Sequence, residues 1–249
     1  MTIRWVTGFL DTPAADAPVA EQFWLAVTGT TLSVRRGDGT FATLRPPSGD
    51  AMLRVQVVGD DGPARCHLDL HVADPFTAAP PLLALGAAEV MRDDEIVVLR
   101  SPAGIAFCLV PWSGERTAPP AAVWPGGQAS LADQVCLDIP AAGYETEVAF
   151  WRAVTGWEFE PMPDSPQFQR LLPPAPIPMR LLLQRLDDGP AGVHLDLACD
   201  DVPAEVARHE ALGATVVRRL PGDWTTLRDP AGRAYCVTAR PPRRGSPAD

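Results

Sequence analysis

The sequence predicts an α+β protein made of two tandem copies of one unit. Three observations predict it. First, Cys66-His67-Leu68-Asp69-Leu70 returns as Val193-His194-Leu195-Asp196-Leu197, offset by 127 residues. Second, other landmarks keep that register. Phe23-Trp24 and Thr28-Gly29 match Phe150-Trp151 and Thr155-Gly156, and Ala84-Leu85-Gly86-Ala87 matches Ala211-Leu212-Gly213-Ala214. The offset then becomes 128, where Pro102-Ala103-Gly104 and Cys108 match Pro230-Ala231-Gly232 and Cys236. Third, segments with the period of a strand alternate with segments of helical period inside each copy.

The second copy shows the element order most clearly. Gln134 to Ile139 alternates as a strand. Tyr144 to Val154 carries apolar residues at helical spacing, and Gly156 is a helix stop. Strands follow over Phe168 to Leu172, Arg180 to Leu186 and the His-Leu-Asp-Leu segment. Val202 to Leu212 is the next helix, ended by Gly213. Thr215 to Arg218, Trp224 to Leu227 and Ala234 to Ala239 close the copy as strands. The order is β-α-β-β-β, twice. The first copy repeats it, with helices over Pro18 to Val27 and Phe76 to Leu85. Pro80 and Pro81 weaken the second of these. Gly37-Asp38-Gly39 is a hairpin turn. The domains expected are 1–112 and 134–240, joined by a Pro/Gly/Ala-rich linker over 113–133 and followed by a disordered tail over 241–249.

Composition narrows the function. The chain has 249 residues, 46% hydrophobic and 21% charged, as soluble globular proteins do. With 31 acidic and 21 basic residues its net charge is −10, which disfavours a nucleic-acid partner. No apolar run approaches the roughly 20 residues of a membrane span. The start, Met1-Thr2-Ile3-Arg4-Trp5, has no signal-peptide pattern, so the expectation is a cytoplasmic protein. Five cysteines, without a CxxC motif, read as free buried thiols.

On the duplicated strand, His and Asp share one face and the leucines share the other. A polar face of that kind suits a cavity wall, and His67, Asp69, His194 and Asp196 become candidate ligand-binding residues. The plainer alternative is that both histidines are hydrogen-bonded structural residues. Trp224 either walls a cavity or packs in the core. Trp24 and Trp151 read as packing anchors. No nucleophile elbow, phosphate loop or dinucleotide fingerprint is present.

The ensemble resembles the vicinal oxygen chelate superfamily, most closely its glyoxalase-like branch. The resemblance rests on the helix ending Phe-Trp-x-Ala-Val-Thr-Gly, the His-Leu-Asp-Leu strand, the helix ending Leu-Gly-Ala, and the closing Asp-Pro-x-Gly-x-x-Tyr-Cys. It implies two glyoxalase/bleomycin-resistance-type domains, each of paired βαβββ modules curling round a cavity. Metal-dependent members take ligands from three strand positions. Those positions fall on Gln134, His194 and Cys236 in the second copy and on Arg4, His67 and Cys108 in the first. The usual His, His, Glu set is absent from both, and a cation at Arg4 would oppose a metal. The expectation is therefore no cofactor, with zinc or a similar divalent ion in the second copy as the alternative, and Asp138 or Asp196 as a further oxygen donor.

The expected function is binding of a small organic molecule in a cup-shaped cavity, without a catalytic metal. The first alternative is an enzyme on a vicinal-oxygen substrate, metal-dependent or using His194 with Asp196 as an acid–base pair. The second is an assembly role with no ligand. The two domains are expected to pair within the chain, or with a second chain as a homodimer.

Overall fold

A computed structural model describes residues 1–59 and 62–242. Asp60, Asp61 and residues 243–249 lie outside the described residues; Pro241 and Pro242 are the only described part of the expected tail. The first copy runs β1 (Trp5–Pro13), α1 (Ala17–Thr28), β2 (Thr31–Leu32), β3 (Phe41–Arg45), β4 (Leu53–Val58), β5 (Arg65–Val72), α2 (Pro75–Ala84), β6 (Ala88–Arg92), β7 (Val97–Arg100) and β8 (Ala106–Pro111). A two-residue strand, β9 (Ala122–Val123), pairs with the start of β10 (Ala129–Pro140). Residues 113–133 thus hold β9 and the first residues of β10. The second copy continues with α3 (Tyr144–Thr155), β11 (Glu158–Pro161), β12 (Phe168–Leu172), β13 (Arg180–Leu186), β14 (Gly192–Cys199), α4 (Val202–Ala211), β15 (Thr215–Leu220), β16 (Trp224–Arg228) and β17 (Ala234–Thr238).

The two copies fold alike. Their strand orders are β2-β3-β4-β1-β5-β8-β7-β6 and β11-β12-β13-β10-β14-β17-β16-β15. β5 pairs with β8 in parallel, and β14 with β17. Each closing strand therefore lies beside the strand that bears the His-x-Asp pair. The short β2 and β11 carry too few residues for an alternation to show.

Helix ends follow the sequence. Gly29 and Gly156 close α1 and α3 in the left-handed region, at φ 65° and 61°. Asp74 and Asp201 cap α2 and α4 with side-chain oxygens. α2 runs through Pro80 and Pro81, so the two prolines do not end it. They remove two backbone donors, and four buried side chains, Pro75, Ala78, Ala79 and Leu82, hold the helix in place instead.

The chain packs as two compact units, and each takes part of both copies. One comprises Met1–Gly8, His67–Arg116 and Val135–Val193; the other comprises Phe9–Cys66, Thr117–Gln134 and His194–Asp249. In the first, the fully buried Trp151 of α3 lies edge-on to Phe107 of β8, centroids 5.1 Å apart. Its indole donates to Glu147 Oε1 at 2.7 Å, and Glu147 Oε2 accepts from the Ala103 amide at 2.8 Å. In the second, Trp24 of α1 lies against Tyr235 of β17 at 5.2 Å and donates to Asp229 Oδ2 at 2.8 Å. Both tryptophans are packing anchors, each for a strand of the opposite copy.

The second unit also buries charge. Arg233, 2% exposed, pairs with Asp229 and donates to the Asp11 and Arg65 carbonyls and to Thr12 Oγ1. On α4, fully buried Glu205 accepts from Ser130 Oγ at 2.5 Å and from Arg208 at 2.6 Å, and lies 3.1 Å from His209 Nε2. Arg208 lies 3.5 Å over the Trp124 ring and donates to the Ala26 and Val27 carbonyls at the end of α1. The matching first-copy residues are Ala78, Pro81 and Leu82, so one packing problem has an apolar and an ionic solution in the same chain.

Candidate metal and substrate site on the second-copy strands

β14 and β17 bring the leading candidates together. Asp196 and Cys236 are direct neighbours in the parallel ladder, and His194 stands two residues before Asp196 on the same face. His194 Nε2 is 3.3 Å from Asp196 Oδ1 and 3.7 Å from Cys236 Sγ. Gln134 of β10 donates from Nε2 to Asp196 Oδ2 at 2.5 Å. Thr226 of β16, opposite Cys236 in the ladder, places Oγ1 3.4 Å from its sulfur.

The electrostatics favour a fixed negative charge. Burial works against the Asp196 carboxylate, but the contacts from His194 and Gln134 outweigh it and hold its pKa below the ordinary value. Asp196 is 1% exposed, and its Oδ1 has no hydrogen-bond partner. An ionised, buried oxygen in that state is costly unless something completes it. Burial pushes the Cys236 thiol up. His194 Nε2, Asp196 Oδ1 and Cys236 Sγ all lie within 4.8 Å of one another, a donor set of nitrogen, oxygen and sulfur that fits a divalent ion.

The first copy keeps part of this set. His67 Nε2 is 3.6 Å from Asp69 Oδ1, and with Cys108 they form a second group of the same geometry. Both histidine side chains are 12% exposed. Arg4 is not opposite His67. It is exposed, with its guanidinium 4.7 Å over the Trp112 ring. The first-copy residue at the 127 offset from Gln134 is Thr7, and it turns away to His71, Oγ1 to Nε2 at 2.8 Å. The reason for ranking this copy second is therefore the missing amide.

The remaining candidates are Asp138 and Trp224. Half-buried Asp138 lies beside Cys136, whose thiol is 4.0 Å from Asp138 Oδ1. Trp224, half-buried, borders a hollow of about 650 Å³ with Leu220, Pro221 and Pro203, at the strand ends. All five cysteines are free and buried. The reading from sequence overlooked Thr226 and the buried Glu205–His209 pair. Thr226 needed the ladder register to be seen. Glu205, Arg208 and His209 stand at i, i+3 and i+4 of a helix, a spacing that marks one face and was there to find.

A duplicated βαβββ chain that carries a His-x-Asp pair beside a closing-strand cysteine has the architecture of the vicinal oxygen chelate superfamily. Residues 8–110 and 134–238 each match the family model described as Glyoxalase-like domain, and the chain belongs to that family. No curated protein matches the sequence. Among solved structures, it is similar to the Mn(II)-bound glyoxalase from Novosphingobium aromaticivorans, with TM-score 0.67 and 16% identity, over 98% of this chain and 83% of that one. It is similar to the 2,3-dioxygenase LapB from Pseudomonas sp. KL28, with TM-score 0.65 and 13% identity, over 99% and 95%. A mutant 4-hydroxymandelate synthase from Streptomyces coelicolor gives TM-score 0.62 and 15% identity, over 98% and 95%. At these identities the likeness is one of fold. No helix among the described residues is long and apolar enough to cross a membrane.

Proposed function

We propose that the chain is a metal-dependent enzyme acting on a small molecule with two neighbouring oxygens, at the second-copy site. The observation that carries this reading is the buried Asp196 Oδ1, which accepts no hydrogen bond of good geometry, grouped with His194 Nε2 at 3.3 Å and with Cys236 Sγ. His194, Asp196 and Cys236 would hold a divalent ion. A bound ion supplies Lewis acidity toward substrate oxygens. Gln134 fixes the Asp196 carboxylate through Oδ2, so Oδ1 keeps its aim. Thr226 positions the Cys236 sulfur. The comparisons, with a Mn(II)-bound glyoxalase and dioxygenases among them, support this reading over the metal-free binding role expected from sequence.

The test is metal content and melting. The purified chain, equilibrated with Mn(II), Fe(II) or Zn(II) and desalted, should retain a divalent ion. With the ion kept in the buffer at a hundred times Kd, the midpoint should rise, since that excess adds about 2.7 kcal/mol. Asp196→Asn should lose both effects. A wild-type protein that retains none of the three ions overturns the reading.

A further inference from the structure

The ladders extend the site sideways. Asp196 pairs with Cys236, Cys236 with Thr226, and Thr226 with Arg218. These four residues form one row across β14, β17, β16 and β15, on the face that carries His194. Arg218 enters the row because of a bulge. Between Val216 and Arg218 the register shifts by one residue, so Arg218, and not Val217, stands opposite Thr226. Arg218 is exposed, and its side chain makes no hydrogen bond or ion pair with any described residue. Its two arginine neighbours in this region are engaged, Arg219 with Glu210 and Arg228 with the Gly232 carbonyl.

The first copy is an internal control. It keeps a bulge at the same place, between Glu89 and Met91. Its row is Met91, Val98, Cys108 and Asp69. The thiol and the carboxylate are retained, while the hydroxyl and the cation are replaced by apolar side chains. The second copy alone therefore carries a polar track from the metal-type cluster to a guanidinium. Two strand spacings of about 4.8 Å put the Arg218 backbone roughly 10 Å from that of Cys236. That is the length of a small aromatic acid.

Resting on the function proposed above, we infer that the substrate is a carboxylic acid, and that Arg218 selects it by pairing with its carboxylate while the neighbouring oxygens sit at His194, Asp196 and Cys236. The planar guanidinium fork matches a carboxylate with two parallel hydrogen bonds. In a chain of net charge −10 the general field repels such a ligand, so a local cation decides whether an acid binds.

Calorimetry on the full chain with two probes tests this: 3,4-dihydroxybenzoate and catechol, which share vicinal oxygens and differ by the carboxylate. The wild type should bind the acid about tenfold more tightly, as one charge-assisted pair provides. That advantage should shrink as salt is added. Arg218→Met, which installs the first-copy residue at an exposed position, should erase it and leave catechol within about twofold. His194→Ala should weaken both probes together. Loss of preference in Arg218→Met with His194→Ala inert would keep the carboxylate site and discard the metal reading. Equal wild-type affinities, a preference that survives Arg218→Met, or no binding of either probe overturns the inference.

Discussion

Replacing Glu205 by alanine is expected to cost the fold about 3–5 kcal/mol, a large part of the 5–15 kcal/mol that holds a typical domain together. The carboxylate is fully buried and serves Arg208, His209, Ser130 and Gln128 at once. Its removal leaves a guanidinium and three other polar groups without this acceptor. Chemical denaturation would measure the loss. A change below about 1 kcal/mol, the scale of an exposed pair, would contradict the assignment. Glu205→Gln should fall between, because it keeps the shape and one acceptor.

The same cluster sets a direction for pH. Burial opposes the Glu205 charge, but contacts from Arg208, His209 and Ser130 prevail and hold its pKa at about 2, against an ordinary 4.5. A depressed carboxylate contributes stability in full above the unfolded value and loses it as pH falls through the folded one. Burial also lowers His209 below its ordinary 6.5, so the folded state resists its protonation. That contribution, too, is lost on acidification, beginning below about pH 6.5. The melting midpoint should therefore fall in two stages, first below about 6.5 and then between about 4.5 and 2. Glu205→Gln should flatten the second stage. A midpoint that stays level from pH 7 to 3 would contradict this.

The second large effect concerns the two histidines. His194→Ala should weaken metal retention more than about 100-fold, past the range produced by losing an outer partner. His67→Ala should change it less than about threefold, a difference of under 1 kcal/mol. The argument is the Gln134 amide, which holds Asp196 through Oδ2 and leaves Oδ1 facing His194; Thr7 at the matching position is committed to His71. Equal losses from both variants, or metal found beside His67 alone, would reverse the order of the copies.

Much of the fold was legible in the sequence. The 127-residue register, the two Phe-Trp helices and the alternating His-Leu-Asp-Leu strand all have local causes, and all appear where expected. The resemblance named Gln134, His194 and Cys236 as a ligand set; that Asp196 is the ladder neighbour of Cys236 came only with the structure. What escaped depends on tertiary register. An apolar stripe says that α1 buries a face, but not that Tyr235 of the other copy receives it. Arg4 was put at the Gln134 position by the resemblance, although the 127-residue register already points to Thr7 there. Arg218 depends on a bulge, which sequence alternation alone does not reveal.

The crossed tryptophans also govern the order in which the protein can be made. Trp24 is synthesised early, yet its acceptor, Asp229, lies 205 residues further on, and Tyr235 later still. Until β16 and β17 emerge, α1 carries Phe23, Trp24 and Val27 toward solvent or toward temporary partners. Contacts of such separation make folding slow, because a long loop must close before they reward it. At a synthesis rate of about 5–20 residues per second, the wait lasts roughly ten to forty seconds. For that interval the nascent chain presents an aromatic face of the kind chaperones bind, and α1 reaches its seat only once β17 has been made.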